Sequence, residues 1–114
     1  MTDIEQYARE RFELNRQKQT LREQQQQRLT VHYNGGMFRV DMTLLTFLYM
    51  KNANAGLFQH STKIIIPDLY DTPIEVDCVD LVILCEERWN EVHNDWYNQF
   101  CELKTKRRVG EVEV

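Results

Sequence analysis

Asp77–Arg108 reads DCVDLVILCEERWNEVHNDWYNQFCELKTKRR, a stretch without proline or glycine. Val82, Cys85, Trp89, Val92, Trp96 and Leu103 recur at spacings of three, four, three, four and seven, the seam of a long amphipathic helix widened by Tyr97 and Phe100. Asp77 suits the N-cap, and Asp80 stands where a capping box carries its acid. Lys104, Lys106, Arg107 and Arg108 put positive charge where a helix C-terminus favours it, and Gly110 reads as the stop. A helix over 77–108 is about 48 Å long at 1.5 Å per residue. That exceeds the width of a small domain, so another element must cover the far end of its seam.

Working back from that helix, Thr62–Ile66 is a β-branched run and reads as a buried strand. Pro67, Asp68 and Asp71 mark a turn, and Thr72-Pro73 opens a strand through Val76. Further upstream, Asp41 can cap a helix over Met42–Asn52. Leu44, Leu45, Phe47, Leu48 and Met50 make it apolar nearly all round, as befits a core helix. Before it, Leu29, Val31 and Tyr33 alternate with Thr30 and His32, Asn34-Gly35 supplies a type I′ turn, and Met37, Phe38 and Val40 return. Gly36 reads as a bulge or register adjuster.

Residues 3–28 read as a polar helix capped by Thr2 or Asp3. Ile4, Tyr7, Leu14 and Leu21 form a sparse repeat among seven glutamines. Such a segment is marginal alone. It is either a coiled-coil arm that orders against the long helix or another chain, or a partly disordered leader.

The fold class expected is therefore α+β: a small antiparallel sheet made from two hairpins and packed on helices. Long N- and C-terminal helices form a projecting, coiled-coil-like stalk. The expected division is a helical arm over 1–28 and an α+β domain over 29–114.

Composition narrows function mainly by exclusion. The net charge is −4, and Asp68–Glu102 holds ten acids against one base, Arg88. That argues against reading Trp89, Trp96, Tyr97 and Phe100 as a base-stacking platform, so nucleic acid is not an expected partner. No apolar run approaches a membrane span and no signal-peptide hydrophobic region opens the chain. A soluble, non-secreted protein is expected. Cys78, Cys85 and Cys101 all fall on the long helix and read as reduced thiols. Cys85, His93 and Cys101 are eight residues apart, hence about 12 Å apart along a helix, too far to share one metal ion. Gly35-Gly36 precedes no helix and forms no phosphate loop. Glu87, Glu91 and Asp95 share a helix face that meets solvent or a basic partner. No catalytic residue, cofactor, metal site or small-molecule substrate is expected.

Three stretches, Tyr33-Asn34-Gly35-Gly36-Met37-Phe38, Thr72-Pro73-Ile74-Glu75-Val76-Asp77 and Glu102-Leu103-Lys104-Thr105-Lys106-Arg107, flank a hydrophobic middle. Together they resemble small proteins from the structural gene regions of tailed bacteriophages, especially T-even-like myoviruses of aquatic bacteria. The resemblance spans residues 29–108 and implies a virion component or an assembly factor, with no catalytic or binding residue carried over.

The reading that results is a non-enzymatic structural or assembly protein of a phage particle that packs against other virion or assembly proteins as a homo- or hetero-oligomer. Trp89, Val92, Trp96, Phe100 and Leu103 are its expected partner-binding residues, with Leu14 and Leu21 opposite them. The alternative is a small acidic regulator or inhibitor that binds a basic host protein through the 86–95 face.

Overall fold

The computed structural model describes residues 2–113, with side chains through 105. The elements run α1 (Asp3–Gln27), β1 (Thr30–Tyr33), β2 (Gly36–Arg39), α2 (Met42–Phe58), β3 (Lys63–Pro67), β4 (Pro73–Asp77) and α3 (Cys78–Glu113). The class is α+β with long terminal helices. The chain divides into two units, Leu29–Val92 and Met1–Arg28 with His93–Val114. No helix among the described residues is long and apolar enough to cross a membrane.

In Leu29–Val92 the first hairpin forms as its turn residues dictate. Tyr33 pairs with Gly36, leaving Asn34 and Gly35 as a two-residue loop with φ of 48° and 83°. Gly36 is a regular ladder position, not a bulge. Its missing side chain matters for another reason: a Cβ there would stand 2.7 Å from Ile74 Cγ1. The backbone of β2 needs glycine to come this close to β4.

The hairpins form two separate two-stranded ladders, not one continuous sheet. The reason lies in which backbone groups each ladder leaves over. His32 and Met37 face each other as a pair that does not bond across the ladder, so the N–H and C=O of Met37 point outward. The β3–β4 turn takes both: Leu69 N donates to Met37 O at 2.7 Å, and Met37 N donates to Asp68 Oδ2 at 3.2 Å. Two outward groups of β4 meet the first hairpin in the same way. Asn34 Nδ2 donates to Glu75 O at 2.9 Å, and Asp77 N donates to Tyr33 Oη at 3.3 Å. Side chains and a turn thus replace a strand-to-strand ladder.

The core is drawn from every element of this unit. Leu29, Val31, Phe38, Val40, Leu48, Ile66, Ile74, Val76, Cys78, Leu81, Val82, Cys85 and Val92 are buried in one cluster, with Tyr33, Leu44, Leu45, Phe47, Ile64, Leu84 and Trp89 packed against it. Asp41 caps α2 by accepting from Leu44 N at 2.8 Å. α2 passes the expected end at Asn52 and continues to Phe58, closing on Gln59 in the left-handed region. Ala55, beyond that expected end, is buried, and Asn52, Asn54 and Gly56 each cost a helix no more than about 1 kcal/mol. Only one side of α2 faces the core, and Met50 on the other side is exposed. Asp77 accepts from Val79 N at 2.9 Å, the bond an N-cap makes. α3 then runs past Arg108 and Gly110 to Glu113.

In the other unit, Thr2 caps α1 through a complete capping box with Glu5.

Candidate partner-binding site

The partner-binding residues expected from the sequence separate between the two units. Trp89 and Val92 lie in Leu29–Val92. Val92 is 1% exposed and Trp89 packs on the same core. Val92 is therefore a core residue of the chain itself, and its expected role on a partner surface is corrected: the helical seam meets the strands of its own unit here. Leu14, Leu21, Trp96, Phe100 and Leu103 all fall in the other unit and all are half-buried.

There, α1 and the distal part of α3 lie antiparallel. Lys18 Nζ sits 5.4 Å from the centre of the Phe100 ring, and the Arg22 guanidinium is 4.3 Å from that of Trp96. Gln25 Nε2 donates to Gln99 Oε1 at 3.0 Å, and Arg28 Nη1 donates to Asp95 Oδ2 at 2.9 Å. The same Arg28 nitrogen reaches Gln25 Oε1 at 2.9 Å. His93 meets the Trp96 ring edge-on at 5.9 Å. Leu21 and Leu103 come together along a groove of about 550 Å³, whose other lining includes Glu13, Arg16, Gln17, Gln24, Gln99 and Glu102.

The apolar repeat of α1 is thus one part of a mixed face. Leu14, Lys18, Leu21, Gln25 and Arg28 are spaced four, three, four and three, and polar side chains alternate with the leucines. On α3, Trp96, Gln99 and Leu103 continue the pattern. The Gln25–Gln99 pair is a polar layer within this face, a device that fixes register at some cost in stability. The cations over Trp96 and Phe100 contribute about 0.5–1 kcal/mol each at such partly exposed sites. The Arg28–Asp95 ion pair, with side chains 37% and 46% exposed, contributes no more than about 1 kcal/mol. Lys18, Arg22, Gln25 and Gln99 were not singled out from sequence. Their signal was available in the same four-three spacing that marked the leucines, but a search for apolar residues passes over it.

The acidic face of α3 also changes character. Glu86, Glu87 and Glu91 are exposed, and Arg88 lies 3.7 Å from Glu91. Asp95, expected to face solvent or a basic partner, is held by Arg28. Glu87 and Glu91 line a shallow groove of about 310 Å³ with Val31, His32, Leu84 and Arg88.

Two thiols in the core are chemically quiet. Burial pushes Cys85 up from 9.0 to about 11, with the Asp41 charge adding to it. Burial likewise raises Cys78, helped by Asp77 and opposed by Lys51. Neither has the depressed pKa of a nucleophile. Among the described residues no group of three or more His, Cys, Asp or Glu side chains is placed to hold a metal ion.

Comparison with protein-family models, with curated proteins and with solved structures found no match for this chain.

Proposed function

We propose that this chain is a non-enzymatic structural or assembly protein of a tailed bacteriophage particle. It acts in the virion or the host cytoplasm by packing its helical arms against neighbouring proteins. One observation carries this reading. Among the described residues of Met1–Arg28 and His93–Val114, no apolar side chain is fully buried, and the single buried residue is Gln25. Helices with so little burial are marginal in water, and in proteins helical stability comes mainly from tertiary packing. The half-covered Leu14, Leu21, Trp96, Phe100 and Leu103 provide a surface that a neighbouring subunit can complete, in the manner of a coiled-coil stalk. The polar Gln25–Gln99 layer suits a contact in which register matters more than strength.

The second reading, an acidic regulator that binds a basic host protein, rests on exposed Glu86, Glu87 and Glu91. Neutralisation of Asp95 by Arg28 weakens it. Mass spectrometry of purified particles separates the two: a structural component co-purifies, and a host-directed regulator does not. Deletion of residues 2–28 sharpens the result. The assembly reading expects a folded protein that no longer joins its native complex. A truncated protein that still joins every complex would remove α1 from the mechanism. Salt provides a third arm, because binding through the acidic face weakens with ionic strength and apolar packing does not.

A further inference from the structure

The outer edge of β3 is open. Parity along the β3–β4 ladder fixes which backbone groups face away from β4. Cys78 N donates to Thr62 O at 2.9 Å, and Asp68 N donates to Thr72 O at 2.9 Å. Thr62, Ile64, Ile66 and Asp68 therefore bond across the ladder, and Lys63, Ile65 and Pro67 turn their backbone groups outward. On β4 the outward residues Glu75 and Asp77 are held by Asn34 and Tyr33. On β3, Lys63 N reaches Ser61 Oγ at 3.1 Å. Among the described residues no turn or loop takes the N–H or the C=O of Ile65. Its side chain is 63% exposed. A strand edge left uncovered in this way is a template for another extended chain.

We propose that two copies of the chain pair antiparallel through the outer edges of β3, about a two-fold axis at Ile64, to form one four-stranded sheet. A second copy fits because antiparallel pairing of identical strands sets outward donors against outward acceptors. The side chains choose the register. An axis at Lys63 places that lysine directly against its own copy, and like charges opposite one another are destabilising. An axis at Ile65 places Pro67 opposite Lys63 of the second copy, where the missing N–H loses a bond. The axis at Ile64 avoids both. Lys63 of each copy then exchanges N–H and C=O bonds with Ile65 of the other, once Lys63 N leaves Ser61. Ile64, half-buried at the border of the core, meets Ile64 of the second copy on the inner face. Lysine and proline blunt strand edges. Here they bracket Ile65 and confine the contact to this register. Asn34 and Tyr33 already occupy the outer edge of β4, so the sheet stops at four strands and a closed pair results. The surface lies wholly within Leu29–Val92, so the pairing depends neither on the helical arms nor on a role in a particle.

Sedimentation velocity on the intact chain from about 1 µM to about 1 mM, a range that spans micromolar to millimolar affinity, tests the pairing. The wild type should show a reversible monomer–dimer equilibrium. Ile65→Pro removes an N–H that β4 does not use, and Pro67 already occupies the equivalent position one pair along. This variant should keep its far-ultraviolet circular dichroism and lose the dimer. Ile65→Lys sets a lysine against Lys63 of the second copy and should weaken the dimer at least tenfold. Ile65→Glu sets a carboxylate there and should weaken it far less. A wild type that stays monomeric throughout overturns the proposal. So does a dimer that survives Ile65→Pro, and so does one weakened equally by Ile65→Lys and Ile65→Glu. A dimer lost on Trp96→Ala also overturns it, because the contact would then lie on the helical arms.

Discussion

The two units of this protein are built from different materials. Leu29–Val92 draws thirteen buried side chains from strands and helices into one cluster. The unit of α1 with His93–Val114 is joined by a glutamine pair, an ion pair and two cations over aromatic rings. Burial of a full apolar side chain contributes about 1.5–3 kcal/mol, whereas a partly exposed charged contact contributes a fraction of that. The first unit therefore has the means to fold by itself, and the second depends on what it touches.

The largest expected effect tests this contrast with matched substitutions. Leu81 is 0% exposed, and Leu81→Ala should cost about 2–5 kcal/mol in urea unfolding. Leu14→Ala, half-exposed on α1, should cost under about 1 kcal/mol in the isolated chain. Comparable costs would mean that α1 is packed as firmly as the core.

A smaller effect separates two adjacent glycines within the firm unit. Gly36→Ala drives a Cβ against Ile74 and should cost about 1–3 kcal/mol as overpacking. Gly35 has open space around it and a φ of 83°. Gly35→Val should cost on the order of 1 kcal/mol from backbone strain alone. If relief of Ile74 by Ile74→Val rescues Gly36→Ala and leaves Gly35→Val unchanged, the two causes are distinct.

Much of this arrangement was legible from residue types. Asn34-Gly35 announced its turn because few dipeptides accept two positive φ angles. Asp41 and Asp77 announced helix starts because a short carboxylate reaches the free N–H groups of the first turn. That the two hairpins stay separate ladders instead of joining as one sheet was not legible, because it depends on which backbone groups remain over after each ladder forms. The use of those groups at Met37 by Asp68 and Leu69 leaves no trace in apolar periodicity. Val92 and Trp96 belong to one sequence seam, yet one is a core residue and the other lies beneath Arg22. A period identifies a face and is silent on what covers it. For the same reason α2 read as a core helix on all sides, although its Met50 side is exposed.

The smallest expected effects are in the pH profile, and both come from the firm unit. Backbone hydrogen bonds, led by that from Thr72, hold Asp68 below its ordinary 3.8. Its contribution to stability is complete above that value and is lost as pH falls through the lower folded value. Asp68→Asn should flatten the acid limb below pH 3.8. Cys85, raised from 9.0 to about 11, contributes fully below 9.0 and loses that contribution as pH rises to about 11. Cys85→Ala should reduce the alkaline loss. Profiles unchanged by either substitution would mean that these groups sense the same surroundings folded and unfolded.

Native-state hydrogen exchange on the intact chain, resolved by peptide, measures the contrast most directly. The expected result is that amides of β1, β2, β3, β4 and residues 81–92 exchange only through global unfolding, while those of α1 exchange through local opening at a much lower free energy. Equal protection across α1 and the two ladders would contradict it, showing one cooperative structure in which the helical arm needs no partner.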